Sequence, residues 1–457
     1  MTLFYRLFVI ISSIITIILD MVTTQHIPNN LVLLPFVFVL LFVVFPSFSR
    51  YIFNNLGITI INFTMLLRYV VSPFLMALYG SDIQMGSTVS IDIQSKAVLL
   101  MVYEMIAMFL IFALLHKYFY SNNSKIRNVK SQSNIFGWIF IAFALLIIIS
   151  QPSVLGNYSF IWSASKLKTD TANENVTLFA LLIQLAQIVF TVSILNIIHK
   201  YYEKKNSIIY LFLSFIVIVA SASFITGTSR SSIIIPLVTG LFALLVLYNK
   251  YRKLIIGSSL ILSLLVISVS TLLKQQTNVT IGSRSLYHSA GPLENFNTDI
   301  QLYFSGLINV GHSIETSSVI RPFDFNLIMS DLTHSVVFIN NFFHQSQSAL
   351  IAFNDMFYKT TGVADQIVPI LGQGYLYFGT ILAPIFSVIG LIVVMFLDKM
   401  VFRTKSVFTL YILSYFCLKF SMLFMSNATI LTSFFTNFIL ILLLIAYLNS
   451  KISYKKE

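Results

Sequence analysis

Residues 96–116 read KAVLLMVYEMIAMFLIFALLH, an apolar run whose only acid is Glu104. A helix needs about 20 apolar residues to cross the ~30 Å hydrocarbon core of a bilayer. Only a helix or a closed barrel satisfies its backbone there, and this run lacks the alternation that barrel strands show. The stretch therefore predicts a membrane-spanning helix.

The composition extends this prediction to the whole chain. Of its 457 residues 57% are hydrophobic and only 10% are charged, whereas a soluble domain carries about 25% charged residues. We expect an all-α polytopic membrane protein with about twelve transmembrane helices, the first an uncleaved signal anchor. The predicted spans are 3–22, 31–47, 55–79, 96–116, 135–152, 177–198, 208–227, 231–248, 254–273, 371–397, 406–425 and 428–447.

The basic residues predict the orientation, because cytoplasmic loops are enriched in Lys and Arg. Alternate loops are basic, which places both termini in the cytoplasm and explains the net charge of +12 without nucleic acid. The basic positions on that side are Arg6, Arg50, Lys117, Lys125, Arg127, Lys130, Lys200, Lys204, Lys205, Lys250, Arg252, Lys253, Lys399, Arg403, Lys405, Lys451, Lys455 and Lys456.

On the opposite side one stretch is long enough to fold outside the membrane. The chain is thus predicted to comprise helices 1–9 (1–273), an extracytoplasmic loop (274–370), and helices 10–12 with a cytoplasmic tail (371–457). Apolar residues recur at helical spacing in the loop, so amphipathic helices are expected there, on the outer leaflet or over a cavity. They are Ile300, Tyr303, Phe304, Leu307 and Val310, and then Leu332, Val336, Ile339 and Phe343.

The same loop concentrates titratable groups, as an active site on the outer face requires. Asp331 and His334 are three residues apart and share a helical face, so they are candidates for a catalytic proton-handling pair. The alternative is that Ser330 or Asp331 caps a helix that begins there. The acids and histidines of the loop are Glu294, Asp299, Glu315, Asp324, Asp331, Asp355, Asp365, His288, His312, His334 and His344.

Charged residues within the spans are a second group of candidates, since each costs about 2.5–3.5 kcal/mol at the bilayer centre. Arg68 and Glu104 either form a structural ion pair or serve a ligand. Arg230 lies among hydroxyl residues at the start of an apolar helix, where helix N-terminus and guanidinium both suit phosphate oxygens. The alternative for Arg230 is an anchor at the headgroups.

Several chemistries lack their motifs. The chain has no HExxH, no Walker loop and no dinucleotide fingerprint, and its single Cys417 offers no disulfide or cysteine-based metal cluster. We therefore expect no metal and no cofactor, with the energy of any reaction supplied by the substrate.

Two stretches resemble the Wzy-type O-antigen and capsule repeat-unit polymerases. One is FITGTSRSSIIIPLVTGLF (224–242), with an arginine at the head of an apolar helix, and the other is VPILGQGYLYFG (368–379), which leads into a span. The order of features between them, ending in a long outer loop, is also similar. Gln373 stands where many members have an acid, so no catalytic role is transferred to it.

The resemblance implies a membrane glycosyltransferase at the outer face of the bacterial inner membrane. It would move a growing glycan from undecaprenyl diphosphate onto a new lipid-linked unit, with a polysaccharide chain-length regulator as a further partner. Arg230, Arg284 and Arg321, together with Arg68 and Tyr375, are then candidates for binding diphosphate or glycan. Asp331 or His334 is the candidate base.

Three other functions fit parts of the pattern. An O-antigen ligase shares the architecture and the donor but transfers to a different acceptor. A flippase for lipid-linked oligosaccharides is also polytopic and basic, although it has little use for a long outer loop. A secondary transporter is disfavoured, because broken helices in matching halves are not evident.

Overall fold

In the computed structural model the described residues are mostly helical. The structure describes residues 2–23, 27–81, 86–120, 129–160, 174–226, 231–259, 291–337, 339, 348–361 and 366–454. Its helices are Thr2–Val22, Leu33–Val44, Pro46–Arg50, Leu56–Leu66, Ser72–Tyr79, Ile91–Phe119, Ile135–Ser150, Glu174–Lys205, Ile209–Ser223, Ser231–Leu247, Pro292–Tyr303, Leu307–Thr316, Phe325–His334, Ala349–Tyr358, Ile370–Leu382, Ile385–Arg403, Val407–Ser421, Ala428–Phe434 and Leu440–Tyr454. The π-helical segments Leu67–Val71 and Phe435–Ile439 continue two of them.

Helix length and composition identify a multi-pass membrane protein. Within the described ranges six helices are long and apolar enough to cross a membrane, and a seventh candidate is bent by 106° between Leu247 and Asn249. The six are Leu3–Val22, Leu56–Tyr79, Ile91–Phe119, Leu178–Lys205, Ile385–Arg403 and Ala428–Lys451. The total of twelve remains a prediction, and most of the predicted span 254–273 lies outside the described residues.

One predicted span is interrupted. The sequence predicts a single helix over 371–397, but the structure has Ile370–Leu382, then a break, then Ile385–Arg403. Gly379 adopts a φ of 70° and a ψ of −170°, a conformation that L side chains rarely adopt. The carbonyl of Tyr377, two residues earlier, accepts a hydrogen bond from the Phe323 amide at 2.7 Å. Through this hydrogen bond, the end of the helix near Gly379 is attached to the segment around Phe323, which precedes it in sequence.

The segment 291–361, part of the predicted extracytoplasmic loop, is called the outer segment from here on. Its described residues carry four helices, at different positions from those predicted. The first apolar run is split, because the chain turns at Ser305 with a φ of 50° between Pro292–Tyr303 and Leu307–Thr316. The second run does not continue as a helix, since the helix that contains Leu332 ends at His334. That helix begins at Phe325 with Asp324 as its N-cap, so the prediction that Ser330 or Asp331 caps it is wrong.

The chain divides into two compact units. Unit 1 comprises Met1–Asn122, Thr280–Asp398 and Phe420–Phe434, and unit 2 comprises Asn123–Val279, Lys399–Lys419 and Phe435–Glu457. Unit 2 contains a short antiparallel pairing of Tyr158–Phe160 with Phe224–Thr226. Its helices are joined by amides: Asn449 donates to Asn134 at 2.6 Å, and Asn134 in turn donates to Ser193.

Unit 1 buries Leu307–Thr316, the second helix of the outer segment. Eight of its ten residues are buried, and it packs against Ile91–Phe119 and Ile370–Leu382. The contacts are close: a Cβ at Gly311 would lie 2.8 Å from Val89, and a Cβ at Gly372 would collide with Ser313. Small residues permit this approach of helix backbones. The helix therefore lies among other helices and not on the surface of a leaflet.

Candidate functional site

Arg68 and Glu104 form a buried ion pair inside unit 1. Arg68 lies in the π-helical segment Leu67–Val71 and Glu104 in the middle of Ile91–Phe119. Nη1 of the arginine is 2.8 Å from Oε2 of the glutamate, and both side chains are fully buried. The predicted ion pair is confirmed. Glutamate is further held by the Tyr69 hydroxyl, which donates to Oε2 at 3.0 Å, and by the Ser387 hydroxyl, which donates to Oε1.

The two partners of this pair are not equally satisfied. Glu104 accepts hydrogen bonds from two hydroxyl groups, those of Tyr69 and Ser387. Arg68 makes no hydrogen bond to a described residue: Nη1 is held by the ion pair alone, and Nε and Nη2 have no partner. These two nitrogens form one side of the guanidinium fork, whose parallel N–H groups match the two oxygens of a carboxylate or phosphate. Buried donors without partners cost about 1–3 kcal/mol each. The pair therefore leaves two guanidinium donors unsatisfied, in the geometry that matches an oxyanion.

Aromatic rings hold the plane of this guanidinium. Its Cζ lies 4.5 Å from the centroid of the Phe424 ring and 5.3 Å from that of Tyr69. The carbonyl of Phe424 accepts a hydrogen bond from the Ser305 hydroxyl at 2.6 Å, so the ring is tied to the turn inside the outer segment. Cation–π contact restrains the guanidinium without using its N–H groups. π-Helical turns such as Leu67–Val71 are frequent at functional sites.

A second polar cluster surrounds Asp331, which is buried. Its Oδ2 accepts the Tyr377 hydroxyl at 2.7 Å and the amide of Ala349 at 3.0 Å. Ala349 is the first residue of the helix Ala349–Tyr358, so Asp331 satisfies one of the amides that every helix start leaves unbonded. Asp331 thus fastens three helices of unit 1 at one point.

Gln373 extends this cluster to a fourth helix. Its Nε2 donates to the Tyr377 hydroxyl at 2.9 Å, and its Oε1 accepts the amide of Ala428, which begins another helix, at 2.6 Å. The tyrosine hydroxyl donates to Asp331 and therefore needs a donor from the other side. An amide can both donate and accept, whereas a carboxylate can only accept. This explains why glutamine, and not an acid, occupies position 373.

A third cluster joins the outer segment to the turn before Ile91–Phe119. His312 Nδ1 is 3.0 Å from Glu315 Oε2, and His312 Nε2 is 3.0 Å from the carbonyl oxygen of Ser87. The imidazole is fully buried, whereas the Glu315 side chain is 19% exposed. Burial is the main influence and lowers the pKa of His312, while Glu315 acts in the opposite direction.

Only some of the candidate site residues predicted from the sequence lie in these clusters. Asp331 is buried, but His334 ends the same helix as an exposed residue, and the described hydrogen bonds of Asp331 go to Tyr377 and Ala349. Arg321 is exposed and lies two residues before Phe323, whose amide bonds to Tyr377, while Tyr375 is half-buried. Arg230 and Arg284 lie outside the described residues.

The chain matches none of the protein-family models, none of the curated proteins and none of the solved structures with which it was compared. Within the part of the chain that the structure describes, no three His, Cys, Asp or Glu side chains converge as metal ligands would.

Two of these residues are not distinguished by the sequence. His312 and Glu315 are among the titratable residues of the loop, but neither stands out there. Their spacing of three residues on a helix was the available signal, and Asp331 and His334 have the same spacing. The difference lies in burial and in the Ser87 carbonyl, which is 225 residues away in sequence.

Proposed function

We propose that the protein joins lipid-linked oligosaccharide repeat units into a polysaccharide at the outer face of a bacterial inner membrane. In this proposal about twelve helices cross the bilayer and both termini are cytoplasmic. The donor is a glycan on undecaprenyl diphosphate, and the acceptor is a sugar hydroxyl of a new lipid-linked unit. The released diphosphate supplies the driving force, so neither metal nor cofactor is required.

The observation that carries the proposal is the unfilled fork of Arg68. A diphosphate leaving group needs fixed cations, and charge-assisted hydrogen bonds contribute about 1.5–3 kcal/mol each. Arg68 presents Nε and Nη2 from a position where Glu104, Phe424 and Tyr69 hold its guanidinium in place. Arg321, Arg230 and Arg284 are the further cations assigned to the diphosphate, and Tyr375 is assigned to the glycan.

Contacts within unit 1 agree with the way the proposal divides the span ends between the two sides of the membrane. Asp398 accepts the amides of Gly57 and Ile58 and the hydroxyl of Tyr120, and all four residues belong to span ends that the basic loops put in the cytoplasm. Ser87 lies at the opposite end of the same spans, and it contacts His312 of the outer segment. Segments assigned to one side of the membrane are thus neighbours in space.

The first experiment is the lipid-linked glycan profile of a strain that lacks the protein. We expect single repeat units to accumulate on the lipid carrier at the outer face. Long polymer retained on the carrier would indicate a ligase and contradict the proposal.

The second experiment replaces the ion pair. Arg68→Ala alone would leave Glu104 buried without its partner, at a cost of about 3–5 kcal/mol, and so would test stability as much as function. The double variant Arg68→Met with Glu104→Gln removes both charges at similar volume. We expect it to insert at normal levels and to lose polymerisation at least about 10-fold, in line with two lost charge-assisted hydrogen bonds. Ser387→Ala, which removes one hydroxyl donor of Glu104 but keeps both charges and the fork, is the matched control.

A flippase is the second candidate, because Arg68 lies midway along the span Leu56–Tyr79, where it would meet a headgroup in transit. The two functions differ in where the single repeat units collect. Loss of a flippase leaves them on the cytoplasmic face, inaccessible to a membrane-impermeant glycan-modifying reagent, whereas loss of a polymerase leaves them accessible.

A further inference from the structure

The imidazole of His312 has a fixed hydrogen-bond arrangement. The Ser87 carbonyl can only accept, so Nε2 of His312 must carry a hydrogen and donate it across the 3.0 Å contact. The carbonyl is itself held, since the Ser87 amide donates to the Phe357 carbonyl at 2.7 Å and the Ser87 hydroxyl to the Met356 carbonyl at 3.1 Å. The Phe357 ring packs edge-on against the imidazole, with centroids 4.9 Å apart.

The space between His312 Nδ1 and Glu315 Oε2, called the gap from here on, can hold one proton. Nδ1 of a neutral imidazole whose Nε2 is protonated has a lone pair, and 3.0 Å away stands the Oε2 oxygen of Glu315. Without a proton between them, two lone pairs face each other. With one proton, the contact is a hydrogen bond, which is charge-assisted when Nδ1 carries the hydrogen and neutral when Oε2 does. The gap therefore has two states that differ by a single proton.

The surroundings of the imidazole disfavour its protonated form. Burial lowers the pKa of the imidazole, and the more distant Lys359 acts in the same direction, while Glu315 opposes both. Glu315 and Lys359 are the charged groups that act on the imidazole among the described residues. Ile370–Leu382, which packs against the same helix, contributes no charged residue.

We propose that Glu315 is the proton acceptor for the sugar hydroxyl in the transfer reaction and that His312 is its positioning residue. This proposal rests on the polymerase function proposed above. Glu315 is suited to the role because it is partly exposed, whereas His312 is fully buried and reaches the substrate only through Glu315. The buried imidazole fixes the orientation of the carboxylate. Its unprotonated Nδ1 has a lone pair that can share the proton taken up by Glu315.

The step balances as follows. The acceptor hydroxyl loses its proton to Glu315, and the proton comes to rest between Oε2 and Nδ1 of His312. The hydroxyl oxygen forms a bond to the anomeric carbon of the donor glycan, through an oxocarbenium-like transition state. The bond from that carbon to the diphosphate oxygen breaks, and the electron pair leaves with the lipid diphosphate. No oxidant, reductant or further reactant is needed.

Glu315→Gln is the decisive variant. Its amide donates to Nδ1 and so preserves the hydrogen bond and the fold, but it cannot accept a proton. Full-length protein in membranes, supplied with lipid-linked repeat units, should insert normally and polymerise at least about 100-fold more slowly. Glu294→Gln is the matched control, since Glu294 is also an acid of the outer segment and only caps a helix, and it should polymerise at the wild-type rate.

His312→Asn tests the positioning role through the pH profile. Wild-type activity should fall as acid protonates the His312–Glu315 pair, and in the variant the maximal rate should drop and the contribution of the imidazole to that fall should be absent. An unchanged profile would overturn the role of His312. If Glu315→Gln restores full polymer to the deletion strain, the base assignment is wrong although the polymerase function stands. If the deletion strain itself accumulates long polymer on its carrier, both proposals fail.

Discussion

Asp331 and Glu315 are acids of the same outer segment, and their surroundings differ in kind. Asp331 is buried and accepts from the Tyr377 hydroxyl and the Ala349 amide, groups that belong to other helices. Glu315 is partly exposed and faces an imidazole nitrogen on its own helix. A carboxylate that accepts several fixed donors stabilises the fold, because each donor would otherwise be buried without a partner. A carboxylate that is exposed and faces an acceptor is suited to take up a proton.

The largest effect is expected for Asp331→Ala. Two donors in a buried place lose a charged acceptor, so the free energy of unfolding should fall by about 3–5 kcal/mol. The unfolding midpoint in detergent measures this, with Glu315→Gln as the control that should stay near wild type. An unchanged midpoint together with lost polymerisation would reverse the comparison and return the catalytic role to Asp331.

A smaller effect is expected for Gln373→Glu. The carboxylate cannot donate to the Tyr377 hydroxyl, so the variant should be destabilised by about 1–3 kcal/mol. Gln366→Glu is a matched control, because Gln366 also donates to a tyrosine hydroxyl, that of Tyr358 at 3.0 Å, but is only half-buried. Equal midpoint shifts for the two variants would show that losing the glutamine donor costs no more stability in the Asp331 cluster than at a half-buried contact.

The smallest effect is a pH dependence of stability from His312. Burial lowers its pKa in the folded state, so the unfolded state binds more protons once the pH falls below about 6.5. Stability should therefore decrease as pH falls through that value, by at most about 1.4 kcal/mol per unit of pKa shift. His312→Asn should flatten the curve of midpoint against pH, whereas the exposed His334→Asn should not. If His312→Asn leaves the curve unchanged, the His312–Glu315 pair does not contribute to the pH dependence of stability.

The sequence predicted the class of fold because membrane spans are recognised by local composition. The run at 96–116 and the scarcity of charge are sufficient for a helical multi-pass protein, and the cost of charge in lipid predicts that Arg68 needs a partner such as Glu104. Periodicity was less reliable where a single residue changes the backbone. Gly379 breaks the predicted span 371–397, and the turn at Ser305 splits a run of apolar residues that shares one helical period.

The site depends on contacts that no local pattern contains. By itself, the sequence determined that this chain is a helical membrane protein, that its acids and histidines gather in one long loop, and that charges lie within its spans. Only the tertiary structure decided which of those charged groups have all their hydrogen-bond partners. Asp331 and His334 have the same spacing as His312 and Glu315, yet Asp331 meets Tyr377 and His312 meets the carbonyl of Ser87. The chemistry of a carboxylate is set by the donors and acceptors that packing brings to it, and these come from distant parts of the chain.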